Sequence, residues 1–204
     1  MVATPWTLVR FLDECENAEK KNSSDEVFIS TITIKLLTSK ECVSDILKDQ
    51  NCPNQDVLKK RIYDRRCPAK IIFLILARAD MLDRIGEFLS NDFSDHHLPI
   101  EVLWTRVGYK LKSAKDSDWI TAPFGAGIHY RDVDYFTQKQ WPFLAPIFER
   151  EFEYVLQQGI PLPLVEKGNA IVSGFSSVSK IKMHPAHVPE QIEVSLPSPA
   201  LQHV

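Results

Sequence analysis

Ile71-Ile72-Phe73-Leu74-Ile75-Leu76 is an unbroken apolar run with Lys70 before it and Arg78 shortly after it. A membrane span takes about 20 such residues, so a run this short reads as the centre of a helix buried in a protein core. Pro68 is placed to open that helix, because the N–H that proline lacks has no partner in a first turn anyway. Ile72, Ile75, Leu76, Leu82, Ile85 and Leu89 continue an apolar stripe at helical spacing, which predicts one long helix over roughly 69–89. A chain of 204 residues can bury one good core around it.

Further helices are expected on the N-terminal side. Thr4 can cap a first helix with Pro5 at its first position, and Leu8, Phe11, Leu12 and Cys15 then share one face. Glu16 to Asp25 is polar and reads as a loop. Val27 to Leu37 admits two readings: its β-branched residues favour a strand, while Ser24 with the acids after it, and Ile32, Leu36 and Leu37, fit a helix. The helical neighbourhood tips the expectation to helix. Thr38 or Ser39 then caps a helix carrying Cys42, Val43, Ile46 and Leu47, Asn51 to Asn54 form a turn, and Asp56 to Arg66 form a basic helix with Val57, Leu58 and Ile62 inward.

Between Ser90 and Tyr135 the periodicity weakens, broken by Pro99, Gly108, Pro123, Gly125 and Gly127, and a short strand or two is expected near Val102 to Leu111. Gln140 to Gln158 regains a helical pattern, with Pro146 in its first turn, Phe148, Phe152, Val155 and Leu156 inward, and Gly159 ending it. Ile160-Pro161-Leu162-Pro163-Leu164 is an extended connector, since a residue before proline avoids the helical region. The prolines at 189, 197 and 199, without aromatics, predict a disordered tail.

Charge and cysteine usage narrow the function classes. A net charge of -3 lacks the basic excess of a nucleic-acid binder, so no nucleic-acid partner is expected. Met1 to Phe11 shows no secretory signal, and no segment reads as a membrane span. Cys15, Cys42, Cys52 and Cys67 have neither disulfide-scaffold density nor metal-ligand spacing, and read as reduced thiols of an intracellular protein, cytoplasmic or nuclear.

Three stretches, in order, carry a resemblance. The first is the apolar helix followed by Glu87-Phe88-Leu89 and Asp95-His96-His97-Leu98-Pro99. The second is Gln140-Trp141-Pro142-Phe143-Leu144-Ala145-Pro146-Ile147-Phe148, similar to a "QWxFLAPVF" signature. The third is the connector leading into Gly174-Phe175, Val178, Lys180-Ile181 and His184-Pro185-x-His187, similar to "GGFGxVYKVxIHPxH". Over roughly residues 60 to 187 the chain resembles the region before the catalytic domain of a group of fungal serine/threonine protein kinases, with the glycine-rich hairpin that opens the kinase N-lobe. The resemblance implies a helical domain over 1–160, a connector and kinase-like β-hairpin over 161–187, and the tail over 188–204.

The hairpin departs from that pattern at the positions that matter for phosphate. Ser173 and Ser176 stand where glycines are expected, and a Cβ there hinders close approach of backbone to phosphate. Only Gly174 remains, beside Phe175 and Val178, and Ser179 replaces the aromatic that follows the loop valine. Gln191 to Leu196 contains no β3 lysine, and no H-R-D or D-F-G occurs. The loop is therefore read as degenerate, with no catalytic residue, no bound cofactor and no metal site.

Other patterns have ordinary readings. His184 and His187 have H-x-x-H spacing but no evident third ligand, and are read as structural. His96-His97 are read as cap or turn residues, Asp116, Asp118, Asp132 and Asp134 as solvated carboxylates, and Gly125-Ala126-Gly127 as a turn. Lys59-Lys60-Arg61 with Arg65-Arg66 is read as a solvated helix face, because Asp56 and Asp64 interleave with it. The sequence thus leads to a mainly α protein with a vestigial kinase-like β-hairpin. Its expected function is that of a non-catalytic interaction or regulatory protein, with a protein partner or self-association through the hairpin edge. Two alternatives stand beside it: the N-terminal part of an active kinase whose catalytic domain lies further on, and an accessory protein of a fungal, specialised-metabolite type of pathway.

Overall fold

The computed structural model describes residues 4–106, 108–113, 119–120, 128–149, 156–173 and 176–188. The described chain is mainly helical, with three small antiparallel sheets. Helix α1 (Leu8–Asn17) packs on α5 (Lys70–Arg78), α3 (Lys40–Asp49) packs on α4 (Gln55–Ile62), and α6 (Ile85–Ser90), which follows α5 after a 3-10 turn, packs on α4. Ile72 to Ala77 are all buried, so α5 is apolar on every side and lies inside the body. A row of rings, Phe136–Phe88–Phe93–His97, extends this core at centroid spacings of 5.3, 5.4 and 5.1 Å.

The single helix expected over 69–89 is two helices. Ala79 ends α5, Asp80 takes a left-handed φ of 57°, and the Met81 N–H turns back to the Leu76 carbonyl at 2.9 Å. The stripe survives the break, because Leu82, Ile85 and Leu89 face the same core from α6 and its 3-10 lead-in. No apolar helix among the described residues is long enough to cross a membrane.

Capping chemistry fixes the other helix starts. Thr7, not Thr4, caps α1, its hydroxyl accepting from the Arg10 N–H. Ser39 caps α3 in the same way through the Cys42 N–H. Val27 to Leu37 resolves into both of its readings: β2 (Val27–Ile29) and, after the Ser30 cap, α2 (Thr31–Leu37). Leu37 is buried, but Ile32 and Leu36 point to solvent, as does Val57 of α4. The polar stretch expected to be a loop contains the end of α1 and then β1 (Glu19–Lys21), which pairs with β2 around a turn held by the Asn22 carboxamide.

The expected strands near Val102 to Leu111 are β3 (Ile100–Thr105) and β4 (Gly108–Ser113), joined by β5 (Trp119–Ile120) in a sheet of order β3-β4-β5. A helix missed in the sequence, α7 (Tyr130–Lys139), packs Val133 and Phe136 beside β3. The helix expected from Gln140 does not form over 140–149: a 3-10 turn at Trp141–Phe143 is followed by irregular chain. Pro146 biases Ala145 away from helical backbone, and Pro142 has no N–H to continue a helical ladder from α7. Phe152 and Val155 lie outside the described residues. Gly159 adopts φ +95° with its α-carbon against the Trp141 ring, where an added Cβ would come within 3.1 Å. After it, β6 (Leu164–Ser173) and β7 (Ser176–Met183) form a two-stranded ribbon.

The start of α5 is satisfied from a distance. Asp95 accepts hydrogen bonds from the N–H groups of Lys70, Ile71 and Ile72 at 2.9–3.0 Å, while its own N–H reaches the Pro68 carbonyl. Enclosure of the carboxyl pushes it up to about 6, against the three N–H groups that favour its charge. Its unfolded value is about 3.9, so the folded chain binds the extra proton. That contribution is complete below pH ~4 and disappears as pH rises through about 6. Because the residue keeps part of its surface exposed, the effect is on the order of 1–2 kcal/mol. Urea titrations from pH 4 to 6.5 should show Asp95→Asn gaining on the native chain by that amount as pH rises; parallel pH profiles would refute this.

Candidate functional site

The one sequence-derived site is the ribbon, and its base is built from distant pieces. Proline on either side of Leu162 keeps the connector extended, leaving its carbonyls free to bond outward. The Leu162 carbonyl accepts from the Asn22 side chain at 2.9 Å, and Leu164 from the Ser23 N–H at 2.8 Å. On the returning strand, the His184 N–H bonds the Pro163 carbonyl at 2.8 Å, and Thr31 donates its hydroxyl to the Ala186 carbonyl. The Phe148 N–H closes the junction on the His187 carbonyl at 2.9 Å.

His184 and His187 are brought together, 5.9 Å between ring centroids, but around a ring and not around an ion site. Phe28 of β2 meets both edge-on, at 5.6 and 5.5 Å. Phe28 is 1% exposed and His187 fully buried. The Pro146 carbonyl, 2.9 Å from His187 Nδ1, places a proton on that nitrogen in the neutral ring. Nε2 is buried and makes no hydrogen bond of good geometry, although the Ile29 carbonyl lies close enough to favour a proton. Burial lowers the pKa of both histidines; His184 and Lys20 add smaller charge effects in the same direction.

Beyond this anchor the ribbon stands as a two-stranded sheet, with no third strand on either outer edge among the described residues. Register shifts between Leu164 and Glu166, and between Lys167 and Ala170, put bulges in β6. Gly168 sits at the second bulge, where an added Cβ would be 3.3 Å from the Lys180 carbonyl. It lines a shallow hollow of about 390 Å³ with Glu166, Lys180, Ile181 and Lys182. The Glu166–Lys182 pair at 2.7 Å is solvent-exposed and contributes little. Val165, Ile171 and Ile181 are 42, 76 and 49% exposed, which a two-stranded sheet cannot remedy by itself.

Of the degenerate loop positions, Ser173 and Ser176 face each other at the distal end and Val178 pairs with Ile171. Gly174 and Phe175 lie outside the described residues, as do Asp116, Asp118, Gly125-Ala126-Gly127 and the tail from 189 onward.

The remaining candidates are occupied elsewhere. His97 Nδ1 caps Ser94 at 3.2 Å and stacks on Phe93, and His96 Nε2 contacts the Arg66 carbonyl at 3.1 Å, in line with cap and turn roles. Asp134 is held by Gln138 at 2.8 Å. In the basic cluster, Lys59 pairs with Asp56, while Arg61 leaves the solvated face to bind the Leu89 carbonyl and Asp92 at the end of α6. Cys15 and Cys42 are free thiols that burial pushes up to about 12, so they stay protonated. No group of three or more His, Cys, Asp or Glu among the described residues is arranged to hold a metal ion. Comparison with protein-family models, curated proteins and solved structures finds no match for this chain.

Sequence reasoning missed Phe28, whose signal was confined to an apolar residue in an ambiguous stretch. Phe28→Ala is expected to cost about 3–5 kcal/mol in urea unfolding, whereas Ile171→Ser on the exposed ribbon should stay within about 0.5 kcal/mol. Comparable losses for the two would show that the ring clamp does not hold the ribbon. The histidines add a pH dependence of known sign. With folded pKa values below the unfolded ~6.5, stability is complete above that pH and is lost as pH falls beneath it. Amide protection at His184, Ala186, His187 and Val188, taken relative to the unstructured exchange rate at each pH, should therefore fall on acidification from pH 7 to 5, and unchanged protection would contradict the burial argument.

Proposed function

We propose that this chain is a non-catalytic, kinase-related interaction or regulatory protein that uses the β6–β7 ribbon as its contact element. The carrying observation is a ribbon fixed at its base by a buried aromatic clamp yet flanked by no further strand among the described residues, with Ile171 and Ile181 exposed. Unpaired strand edges are adhesive, because each leaves a row of N–H and C=O groups open to another strand. The serines at 173 and 176 support a role without nucleotide, since they stand at the end of the ribbon where a phosphate-gripping loop needs glycine.

The geometry also favours one part of the ribbon. Bulges interrupt β6 near its base, and Lys180 and Lys182 charge the facing part of β7. The distal half, Ala170 to Ser179, is regular in register and uncharged in sequence. Contact through a strand edge belongs there, and a second copy of the chain offers a matching edge.

The test replaces Ala170–Ser179 by Asn-Gly, a dipeptide suited to a tight hairpin turn, so that the bulges, lysines and clamp remain. Sedimentation of the native chain should show concentration-dependent association, and the shortened chain should stay monomeric with an unchanged circular dichroism spectrum. The native chain should also fail to bind ATP–Mg²⁺ in titration calorimetry. Tight nucleotide binding, phosphoryl transfer, or association that survives the shortening would overturn the reading.

A further inference from the structure

The outer edge of β3 is a second unpaired strand edge, independent of the ribbon. Gln140, fully buried, imitates a neighbouring strand at its start: its Oε1 accepts from the Ile100 N–H at 2.8 Å and its Nε2 donates to the Ile100 carbonyl at 2.9 Å. Both backbone groups of Ile100 therefore point away from β4. In an antiparallel pair this orientation alternates along the strand, so Val102 and Trp104 also turn their N–H and C=O groups outward. Thr105 and Gly108, paired across a two-residue connection, set the same parity from the other end. Among the described residues nothing bonds the outward groups of Val102 and Trp104.

A groove of about 440 Å³ runs along this edge between β3 and α7, its far wall formed by Asp134, Thr137 and Gln138. Its charged lining residues are Glu101 and Asp134, with no cation among them. Lys112 lies opposite Glu101 in the ladder but forms no ion pair with it. Trp104 stands over the groove, 44% exposed and braced edge-on by Tyr109 at 5.9 Å and Tyr130 at 5.4 Å. A braced, exposed tryptophan across the groove from the Asp134 carboxylate favours a cation resting on its face.

We propose that this edge is a docking site for an extended, basic peptide segment of a partner protein, which adds to the sheet beside β3 and continues the pairing that Gln140 begins. Its backbone bonds Val102 and Trp104, and its lysine or arginine side chains on the α7-facing side meet Asp134 and the Trp104 ring. Strand addition of this kind draws affinity from main-chain bonds and selectivity from alternate side chains. The charge of the groove selects basic over acidic segments.

The test uses a fluorescein-labelled peptide of alternating lysine and valine, read by anisotropy on the full chain, with a glutamate–valine peptide as control. Val102→Pro removes an N–H that points outward, so the ladder to β4 is kept while strand addition is blocked. The lysine peptide should bind saturably and the glutamate peptide should not. Asp134→Lys should weaken binding about tenfold or more, and Val102→Pro should abolish it with an unchanged circular dichroism spectrum. Exchange of the Val102 and Trp104 amides should slow when the peptide is added. Trp104→Ala, a surface change, provides a second loss of affinity should the proline variant fold poorly. Equal binding of both peptides, no binding up to about 1 mM, or undiminished binding by both Val102→Pro and Trp104→Ala overturns the proposal. Self-association of the peptide-free chain that Val102→Pro abolishes also overturns it, by giving the seat to a second copy.

Discussion

A helix that is apolar on all sides is stable only when other elements enclose it, and α5 sets that condition for this molecule. Phe73 meets Phe11 of α1 edge-on at 6.1 Å, while Leu74 to Ala77 leave no solvent face for the neighbouring helices to avoid. Its ends carry the polar groups that such burial cannot ignore. The first N–H groups go to Asp95, which fixes the 3-10 turn leading into β3. At the other end Arg78 pairs with Glu19 of β1. Two distant stretches are thus tied to one helix, and each positions a different sheet.

The second of these ties leads directly to the ribbon. Arg78 is largely enclosed, its Nη1 has no hydrogen-bond partner, and its guanidinium lies 5.8 Å from the Phe143 ring. A buried charge of this kind depends on its partner, because removing the carboxylate would leave the cation uncompensated. Glu19 in turn holds β1 in place, β1 holds β2 in antiparallel register, and β2 supplies Phe28 to the two histidines. The ribbon therefore takes its direction from the centre of the core, although its own strands touch solvent for most of their length.

Much of this was legible where neighbours in sequence decide the outcome. Ser39 as a cap, the inward set Cys42, Val43, Ile46 and Leu47, and the strands around Val102 and Leu111 follow from local chemistry and periodicity. The long helix over 69–89 was misread because both of its halves bury the same stripe, so the apolar pattern passes unbroken over the turn at Asp80. Gln140 to Gln158 reads as helical by spacing, yet over 140–149 its prolines and the demand of Ile100 for the Gln140 amide pull it elsewhere. The ribbon itself announces its connector through Pro161 and Pro163. Its anchor does not, because Phe28 and His187 are far apart in the chain and no local pattern links them.

Small sheets leave many edges, and the manner of their protection says where contact can occur. On the ribbon, β6 is disrupted near its base by bulges and β7 carries Lys180 and Lys182 over the same stretch, two recognised guards against edge-to-edge pairing. Neither guard extends past Ala170 and Ser179. On β3 the guard is one side chain: Gln140 satisfies Ile100 and nothing beyond it. The buried Gln140 carboxamide serves both backbone groups of Ile100 and also donates to the Thr137 carbonyl, in keeping with the cost of leaving polar groups unsatisfied at that depth. Val102 and Trp104 lie further out, where water can serve the same groups until a strand replaces it. The boundary between buried and exposed edge thus separates the part of β3 the fold must satisfy from the part it leaves to solvent.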